Sequence, residues 1–401
     1  MIYKMDFPTV IAREGNVKFL IPDLKAFTLL RSDYAPSMAP VFYNPVMEFN
    51  RDVSVLALRV YQKLVNHEIS ACDPLTGCGV RGIRYATEVK NVRKIVMNDI
   101  NKKAVELASL NVQMNSLAGC AIVEHEEANR LLNNYSAPHM RFDAVDVDPF
   151  GTPVPFLESS IRALRSGGLL AATATDMAPL CGVHPNACIR KYGGRPLRTE
   201  YCHELAVRLL AGALAKTAAR HDIGVRVMFS HYADHYVRVY ARVKYGAKEA
   251  DESLRRMGYV FHCFKCFHRE IMEEQAGALY SQTCRECGGK LSAAGPLWIG
   301  EIVDKQFAEI MKLEAERQLL PSRRIEKTLS LAAGEANAPA TYYDIDAICD
   351  HLNMPVPSVK TVADRMAEKG LEATRTHFSA TSLKSNVSSN EIKNIILQTI
   401  K

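Results

Sequence analysis

The sequence predicts an α/β fold: a doubly wound, largely parallel sheet that ends in an antiparallel hairpin, followed by a second, α+β domain. Three observations predict it. From about residue 51, apolar strand-like runs at 69–72, 95–97, 121–123, 142–147 and 169–175 alternate with helical patterns. Strands that alternate with helices form a parallel sheet with right-handed crossovers. The runs 225–230 and 236–243 then alternate apolar with polar residues across a short polar turn, the pattern of a hairpin. Near Tyr245-Gly246 the character changes: four cysteines arrive in two pairs, and from about 302 the chain turns helical.

Each element has its own warrant. Residues 1–50 read as short strands and loops, with Thr9-Val10-Ile11, a turn at Gly15 and a second run over 17–21. Ala104, Leu107, Ala108 and Val112 share one face at helical spacing, 156–164 is helical, and 199–219 is a long helix rich in Ala and Leu. Within 341–380, a helix over 345–352 breaks at Met354-Pro355-Val356-Pro357. A second helix follows over 358–368, then Gly370 and a strand-like tail. That order suits a winged helix, and equally suits tri-helical modules that bind no nucleic acid. The Ser/Asn-rich stretch near 385–390 reads as a loop. The domain limits are 1–245 and 246–401, the second holding a zinc-ribbon stretch at about 259–291 and the winged-helix-like stretch at about 341–380.

The 401 residues are 23% charged and 48% hydrophobic, with a net charge of +6. These values are ordinary for a globular protein and leave room for a nucleic-acid partner without demanding one. No apolar run is long enough to span a bilayer, and Met1-Ile2-Tyr3-Lys4-Met5-Asp6 lacks the apolar core of a signal peptide. Eleven cysteines without a secretory signal indicate a reducing, cytoplasmic setting, where clustered thiols bind metal more readily than they form disulfides. No membrane and no obligate protein partner is indicated.

Asp73-Pro74-Leu75-Thr76-Gly77-Cys78-Gly79-Val80-Arg81-Gly82 follows the first strand of the alternation and opens a helix. Gly77, Gly79 and Gly82 satisfy G-x-G-x-x-G, and Asp99 ends the next strand at a distance suited to ribose hydroxyls. The glycines alone would fit a nicotinamide oxidoreductase. Two residues argue otherwise: Asp73 would face a pyrophosphate unfavourably, and the helix opens with Arg81. S-adenosylmethionine carries an ammonium, a carboxylate, a ribose and an adenine, and no phosphate. Asp73 suits the ammonium, Asp99 the ribose, the amides of the Gly77–Gly79 turn the remainder, and Glu126-Glu127-Ala128 the edge of the adenine. A helix N-cap is the bland alternative for Asp99.

Asp148-Pro149-Phe150-Gly151 follows the apolar run 142–147. A carboxylate at a strand end, followed by proline and an aromatic ring, suits work on an exocyclic amino group. The acid accepts an N–H, Pro149 fixes the turn and leaves a carbonyl, and the ring stacks on the base. Ligands of open α/β sheets bind beyond the strand carboxyl ends, where the first and fourth strands are neighbours. The glycine loop and Asp148 should therefore converge. The bland reading of Asp148 is a turn or capping residue.

Cys263-Phe264-Lys265-Cys266 and Cys284-Arg285-Glu286-Cys287 make a C-x₂-C…C-x₂-C pattern with zinc-ribbon spacing. Four thiolates leave no open coordination position, so Cys263, Cys266, Cys284 and Cys287 would hold a structural Zn²⁺. Arg190-Lys191, Arg195 and Arg198 form a basic stretch that suits phosphates, or a solvated loop given the nearby Glu200 and Glu204. His203 reads as a packed histidine, and Cys181, Cys188 and Cys202 read as too scattered for a second metal site.

Further segments complete the pattern: Val41-Phe42-Tyr43-Asn44-Pro45-Val46-Met47, Phe49-Asn50-Arg51-Asp52, Thr173-Ala174-Thr175-Asp176, Ala178-Pro179-Leu180-Cys181-Gly182 and Ala373-Thr374-Arg375-Thr376-His377-Phe378. With the Asp148 segment, and in this order, they resemble the tRNA guanine N2-dimethyltransferase family, which modifies guanine 26 of tRNA. The resemblance runs from about residue 10 to 380. It implies a class I methyltransferase (Rossmann-like) domain, S-adenosylmethionine as donor, and a C-terminal domain that helps to hold tRNA. It also implies that Arg51 contacts the carboxylate end of the donor, with Arg81 among the donor-binding residues. Phe42 would lie beside the target base, with Asp176 and Arg375 among the substrate-binding residues, and Asp148 would be catalytic together with Pro149 and Phe150. Amino-methyltransferases commonly place the aromatic three residues after the acid; here Phe150 is two after Asp148, so Phe150 and Phe42 both stand as stacking candidates. A nicotinamide oxidoreductase and a non-catalytic zinc-containing RNA-binding protein are the competing readings. The residues leave open whether one or two methyl groups are added, whether neighbouring guanines are accepted, and how many subunits assemble.

Overall fold

The computed structural model describes residues 5–27, 35–274, 282–317 and 322–400. Residues 1–4 of the N-terminal reading and 275–281 of the 259–291 stretch lie outside them. The chain opens with an antiparallel pair, β1 (Thr9–Glu14) and β2 (Val17–Pro22). It continues with β3 (Ile69–Asp73), β4 (Val92–Asn98), β5 (Ala121–Glu124), β6 (Phe142–Val147), β7 (Leu164–Ala174), β8 (Ile223–Ala233) and β9 (Tyr236–Tyr245). These last seven form one sheet in the order β5-β4-β3-β6-β7-β9-β8. β3 to β7 are parallel, and β8 and β9 form the antiparallel hairpin. The expected architecture is therefore observed, including the adjacency of β3 and β6 through Ala71↔Ala144 and Cys72↔Val145.

The chain comprises two compact units. One is Met1–Pro149, Pro155–Ala172 and Leu313–Pro321; the other is Phe150–Val154, Thr173–Lys312 and Ser322–Lys401. In the first unit every residue of β3 and β6 is buried, as expected of parallel strands covered on both faces. Of the two acids inside β6, Asp143 is matched: it accepts from the Ser70 amide at 2.7 Å and the Ser70 hydroxyl at 3.0 Å, and pairs with Arg165 at 3.1 Å. Helix Lys102–Met114 buries Ala104, Leu107, Ala108 and Val112, the stripe its spacing predicts. Asn111 on that face accepts from the Leu20 amide at 2.6 Å and donates to the carbonyls of Leu20 (2.9 Å) and Cys78 (2.8 Å). One buried amide thus ties β2 to the glycine loop. β7 begins at Leu164, five residues before the predicted run, because Leu164 pairs with Phe142 before the ladder shifts register.

In the second unit, helix Cys202–Ala219 is buried along most of its length. A second sheet contains β10 (Met257–His262), β11 (Arg269–Glu273) and β12 (Ser292–Trp298) in the order β11-β10-β12. A third contains β13 (Tyr343–Asp344), β14 (Thr374–Arg375) and β15 (Ser382–Lys384) in the order β13-β15-β14. Helices Ile345–Leu352 and Val359–Glu368 start at the capping side chains of Asp344 and Ser358. They pack with helix Ser389–Ile400 through Ile345, Ile348, Val362, Met366 and Ile395. That last helix begins inside the stretch read as a loop; its apolar Ile392, Ile395 and Ile396 are buried at helical spacing. A buried ionic network joins this part to the long helix. Glu204 accepts from Arg208 at 2.7 Å, and Lys384 lies 3.0 Å from Glu204 and 3.1 Å from Glu335. Glu335 also binds Thr376 and His377.

Candidate functional site

The glycine loop lies at the carboxyl end of β3, as the sequence predicts. Its amides serve the loop itself: Gly77 N–H donates to Asp99 Oδ2 at 2.9 Å and Gly79 N–H to the Thr76 carbonyl at 2.9 Å. What the glycines supply is shape. Gly79 has φ +84°, and a Cβ there would approach Ala108 Cβ at 3.0 Å, while a Cβ on Gly82 would meet Met97 Sδ at 2.3 Å. Asp99 is not the cap of the following helix. Asn101 is, accepting from the Lys103 amide at 3.0 Å, while Asp99 Oδ1 accepts from the Asn101 amide at 2.9 Å. Glu127 does cap a helix: its carboxylate accepts from the amides of Asn129 and Arg130, with Ala128 the first helical residue behind it. Asn98, buried at the end of β4, holds the two loops together. It donates to the carbonyls of Pro74 and Glu126 and accepts from the Glu126 amide, each at 3.0 Å.

Beneath the loop, Arg81 gathers the acidic residues of the site. Its Nη1 donates to Ser54 Oγ at 2.8 Å and lies 3.5 Å from Asp146 Oδ2; its Nη2 donates to Asn50 Oδ1 at 2.8 Å and to Asp148 Oδ2. The predicted convergence of the glycine loop with Asp148 is made through this guanidinium. Oδ1 of Asp148 has no partner among the described residues. Asp73 is fully buried, and its Oδ2 accepts from Thr76 Oγ1 at 2.8 Å. Burial pushes the Asp73 carboxyl up to about 7; Arg81 pulls it down, while Asp146 and Asp148 push it further up. Asp73, Asp146 and Asp148 thus face a single guanidinium, an excess of negative charge that suits a cationic ligand. The buried Asn50 Nδ2 has no hydrogen-bond partner among the described residues, an unmet donor that fits a polar ligand at this point.

Arg51 makes a bidentate pair with Glu14, with Nε to Oε2 at 2.7 Å, and donates to the Asn44 carbonyl at 3.0 Å. The Tyr43 hydroxyl also donates to Glu14, at 2.8 Å. Burial would raise the Glu14 carboxyl, but the bonds from Arg51 and Tyr43 outweigh it and hold it below the usual range. Among the described residues the Nη1 hydrogens of Arg51 have no partner. Phe42 is half-buried, its carbonyl 3.1 Å from where a Cβ on Gly77 would stand. The structure therefore brings Asp73, Gly77, Gly79, Arg81, Asp99 and Asp148 to one strand-end region. Asn50, Asn98 and Glu14 join them without a signal of their own in the sequence, except that Asn50 neighbours Arg51.

In the second unit Phe150 is 72% exposed. The turn after it is pinned to the end of β7, with Gly151 N–H donating to Thr175 Oγ1 at 2.8 Å and Thr175 N–H to the Gly151 carbonyl at 2.8 Å. Asp176 anchors helix Pro185–Tyr192 through Lys191 (2.9 Å) and the Tyr192 hydroxyl. Arg375 is exposed in β14 and has no ion-pair partner among the described residues. Arg190, Arg195 and Arg198 are likewise exposed, whereas Glu200 and Glu204, the acids that would neutralise them, turn inward toward Arg269 and Arg208. The thiols of Cys263, Cys266, Cys284 and Cys287 lie within 4.8 Å of one another. Amides of Glu286 and Gly289 approach Cys284 and Cys287 sulfurs at 3.4 Å. Four such sulfurs fit a tetrahedral thiolate site. The reading of Cys181 and Cys202 as scattered is corrected: with His203 they form a second group of ligand atoms within 4.8 Å, which Cys188 does not join.

Residues 15–397 match the family model described as N2,N2-dimethylguanosine tRNA methyltransferase. A Methanosphaera stadtmanae protein called tRNA (guanine(26)-N(2))-dimethyltransferase is 40% identical, covering 97% of this chain and 97% of its own. The Methanothermobacter thermautotrophicus protein of the same name is 41% identical over 96% of this chain and 98% of its own. Among solved structures, that of Trm1 from Pyrococcus horikoshii with S-adenosyl-L-methionine is similar with a TM-score of 0.81 and 34% identity, covering 98% of this chain and 100% of that one.

Proposed function

The chain belongs to the N2,N2-dimethylguanosine tRNA methyltransferase family, and from that membership we infer that it methylates the exocyclic N2 of guanine 26 of tRNA, with S-adenosylmethionine as donor. The observation that carries the residue-level reading is the Arg81–Asp148 pair: one carboxylate oxygen is held and the other has no partner among the described residues, beside the buried acids Asp73 and Asp146. The nicotinamide and binding-protein readings give that open carboxylate no purpose.

S-adenosylmethionine supplies a methyl group already activated on a sulfonium. The residues supply position and charge. Asp73, once ionised, pairs with the ammonium, Arg51 uses its remaining hydrogens on the carboxylate, Asp99 accepts from the ribose, and the Glu127-Ala128 turn borders the adenine. The N2 lone pair of guanine is delocalised into the ring, so the amine is a poor nucleophile. Asp148 Oδ1 accepts one N2–H and the Pro149 carbonyl the other, which aims the lone pair and gives the departing proton an acceptor. Arg81 keeps the Asp148 carboxylate aimed. A second methylation requires the monomethylated amine to turn, with one acceptor still engaged. The base is flipped from its stack to reach the site, and Phe150 or Phe42 stacks on it.

We place the functional boundary at Tyr245-Gly246, with the methyltransferase domain before it and a tRNA-holding domain after it. In the latter, Cys263, Cys266, Cys284 and Cys287 hold a structural Zn²⁺ in a zinc-ribbon stretch, and the 341–380 stretch is a winged-helix-like module. Arg375 contacts phosphate there, and Asp176 sets the loop that meets the substrate. The decisive experiment is transfer of labelled methyl from S-adenosylmethionine to unmodified tRNA, beside the same tRNA with adenine at position 26. Label on the first alone supports the reading; label on both overturns the position, and label on neither overturns the activity.

A further inference from the structure

The segment after β7 contains a group of donors that the methyl transfer does not use. Cys181 closes the short helix Met177–Leu180, with its amide donating to the Met177 carbonyl at 2.8 Å. Gly182 follows at φ +88°, and a Cβ there would stand 2.8 Å from the Arg198 amide, so the turn that presents Cys181 is sterically defined. Cys202 and His203 come from the first turn of helix Cys202–Ala219. The His203 ring stacks on Tyr232 with centroids 3.8 Å apart and planes 9° from parallel, which fixes the plane of its ring nitrogens. One ligand atom from each of Cys181, Cys202 and His203 lies within 4.8 Å of the others, and all three residues are half-buried.

We propose that Cys181, Cys202 and His203 form a second metal site, a Cys₂His site for Zn²⁺ distinct from the four-cysteine group. Zinc arms of 2.3 Å to sulfur and 2.0–2.1 Å to nitrogen need ligand atoms only about 3.6–3.8 Å apart. The observed group closes on an ion with small side-chain adjustments. Two thiolates neutralise the ion, and thiolate with imidazole selects zinc over magnesium or calcium. Cys181 and Cys202 already share a hydrogen bond between their thiols. A metal replaces that shared proton. Three protein ligands and partial exposure leave the fourth position to water. The ion ties the turn that follows Asp176 to the start of the long helix.

The test is the zinc content of the full-length chain after dialysis against zinc buffered by a weak chelator, for the wild type, Cys202→Ser and Cys181→Ser. Each variant is expected to hold one equivalent less than the wild type, whatever the four-cysteine group holds. Equal content in all three overturns the proposal, as does a Cys181–Cys202 disulfide found by mass spectrometry in metal-saturated protein. If the variants fail to fold, cobalt titration of the wild type decides: two successive thiolate–cobalt absorption steps support the second site, and a single step refutes it.

Discussion

Replacing Asp148 by Asn or Ala tests the chemistry most directly. Oδ2 of Asp148 is held by Arg81, and in the proposed mechanism Oδ1 is the acceptor for the amine. Asp148→Ala removes both the acceptor and the charge that develops a partner in the transition state. A positioned acceptor of this kind contributes about 10²- to 10⁴-fold, or about 2.7–5.4 kcal/mol of barrier. The fold should tolerate the change, because Arg81 keeps Ser54 and Asn50 at 2.8 Å and Asp146 at 3.5 Å. With Arg81 still partnered, the stability loss should stay at the lower end of what a lost charged bond costs, about 1–3 kcal/mol. Asp148→Asn keeps an oxygen but not the charge, and should fall between the wild type and Asp148→Ala. The assay is single-turnover transfer of labelled methyl to unmodified tRNA, with donor affinity measured separately by calorimetry. Turnover should drop at least roughly 100-fold, with donor affinity nearly unchanged. Turnover within about tenfold of wild type in a folded variant would refute the reasoning, and so would a loss explained by weaker donor binding.

Four further outcomes are expected. Asp73 has its carboxyl raised to about 7, and in the proposed mechanism it pairs with the donor's ammonium only when ionised. Donor affinity should therefore be full above that pH and fall about tenfold per unit below it, and calorimetry on Asp73→Asn should show weaker binding with a flat profile. Phe150→Ala or Phe42→Ala should cost about 1–3 kcal/mol in kcat/KM for tRNA, according to which ring stacks; unchanged kcat/KM in both variants would remove stacking from the mechanism. Cys263→Ser should lose one equivalent of zinc by elemental analysis and lower the melting temperature, and undiminished zinc would contradict the four-thiolate site. Lys384→Met leaves Glu204 and Glu335 without their shared cation and should destabilise the fold by about 3–5 kcal/mol in urea denaturation. Glu335, which burial would raise, is instead held down to about 2 by Lys384 and His377. Its contribution to stability is complete above the ordinary carboxylate range and is lost as pH falls toward about 2, so the wild type and Lys384→Met should converge in acid.

The family segments, the spacing of the four cysteines and the alternation of strands and helices that ends in a hairpin were legible in the sequence because each is written locally. Short runs buried at every residue mark β3 and β6, a stripe of period 3.6 marks helix Lys102–Met114, and a parallel βα order leaves few ways to arrange the strands. Asp148 could be found for the same reason: a charged residue at the end of an apolar run stands out. The partners of those residues were not legible. Nothing near Arg81 announces that its guanidinium reaches Asp148, or that Asn50, Asn98 and Glu14 complete the region, because such pairs are made across tens of residues by the closing of the sheet. The inward turn of Glu200, before the long helix, and of Glu204, in its first turn, leaves Arg190, Arg195 and Arg198 without those acids as partners, and only packing selects it. The meeting of Cys181 with Cys202 and His203 depends on a turn at Gly182 folding against Arg198. By itself the sequence determined which residues are apolar and how they repeat, and hence the layers and the strand ends where a ligand binds. Only the tertiary structure decided which charges face one another, because electrostatic pairing depends on distance in space and on burial, and neither is encoded in local periodicity.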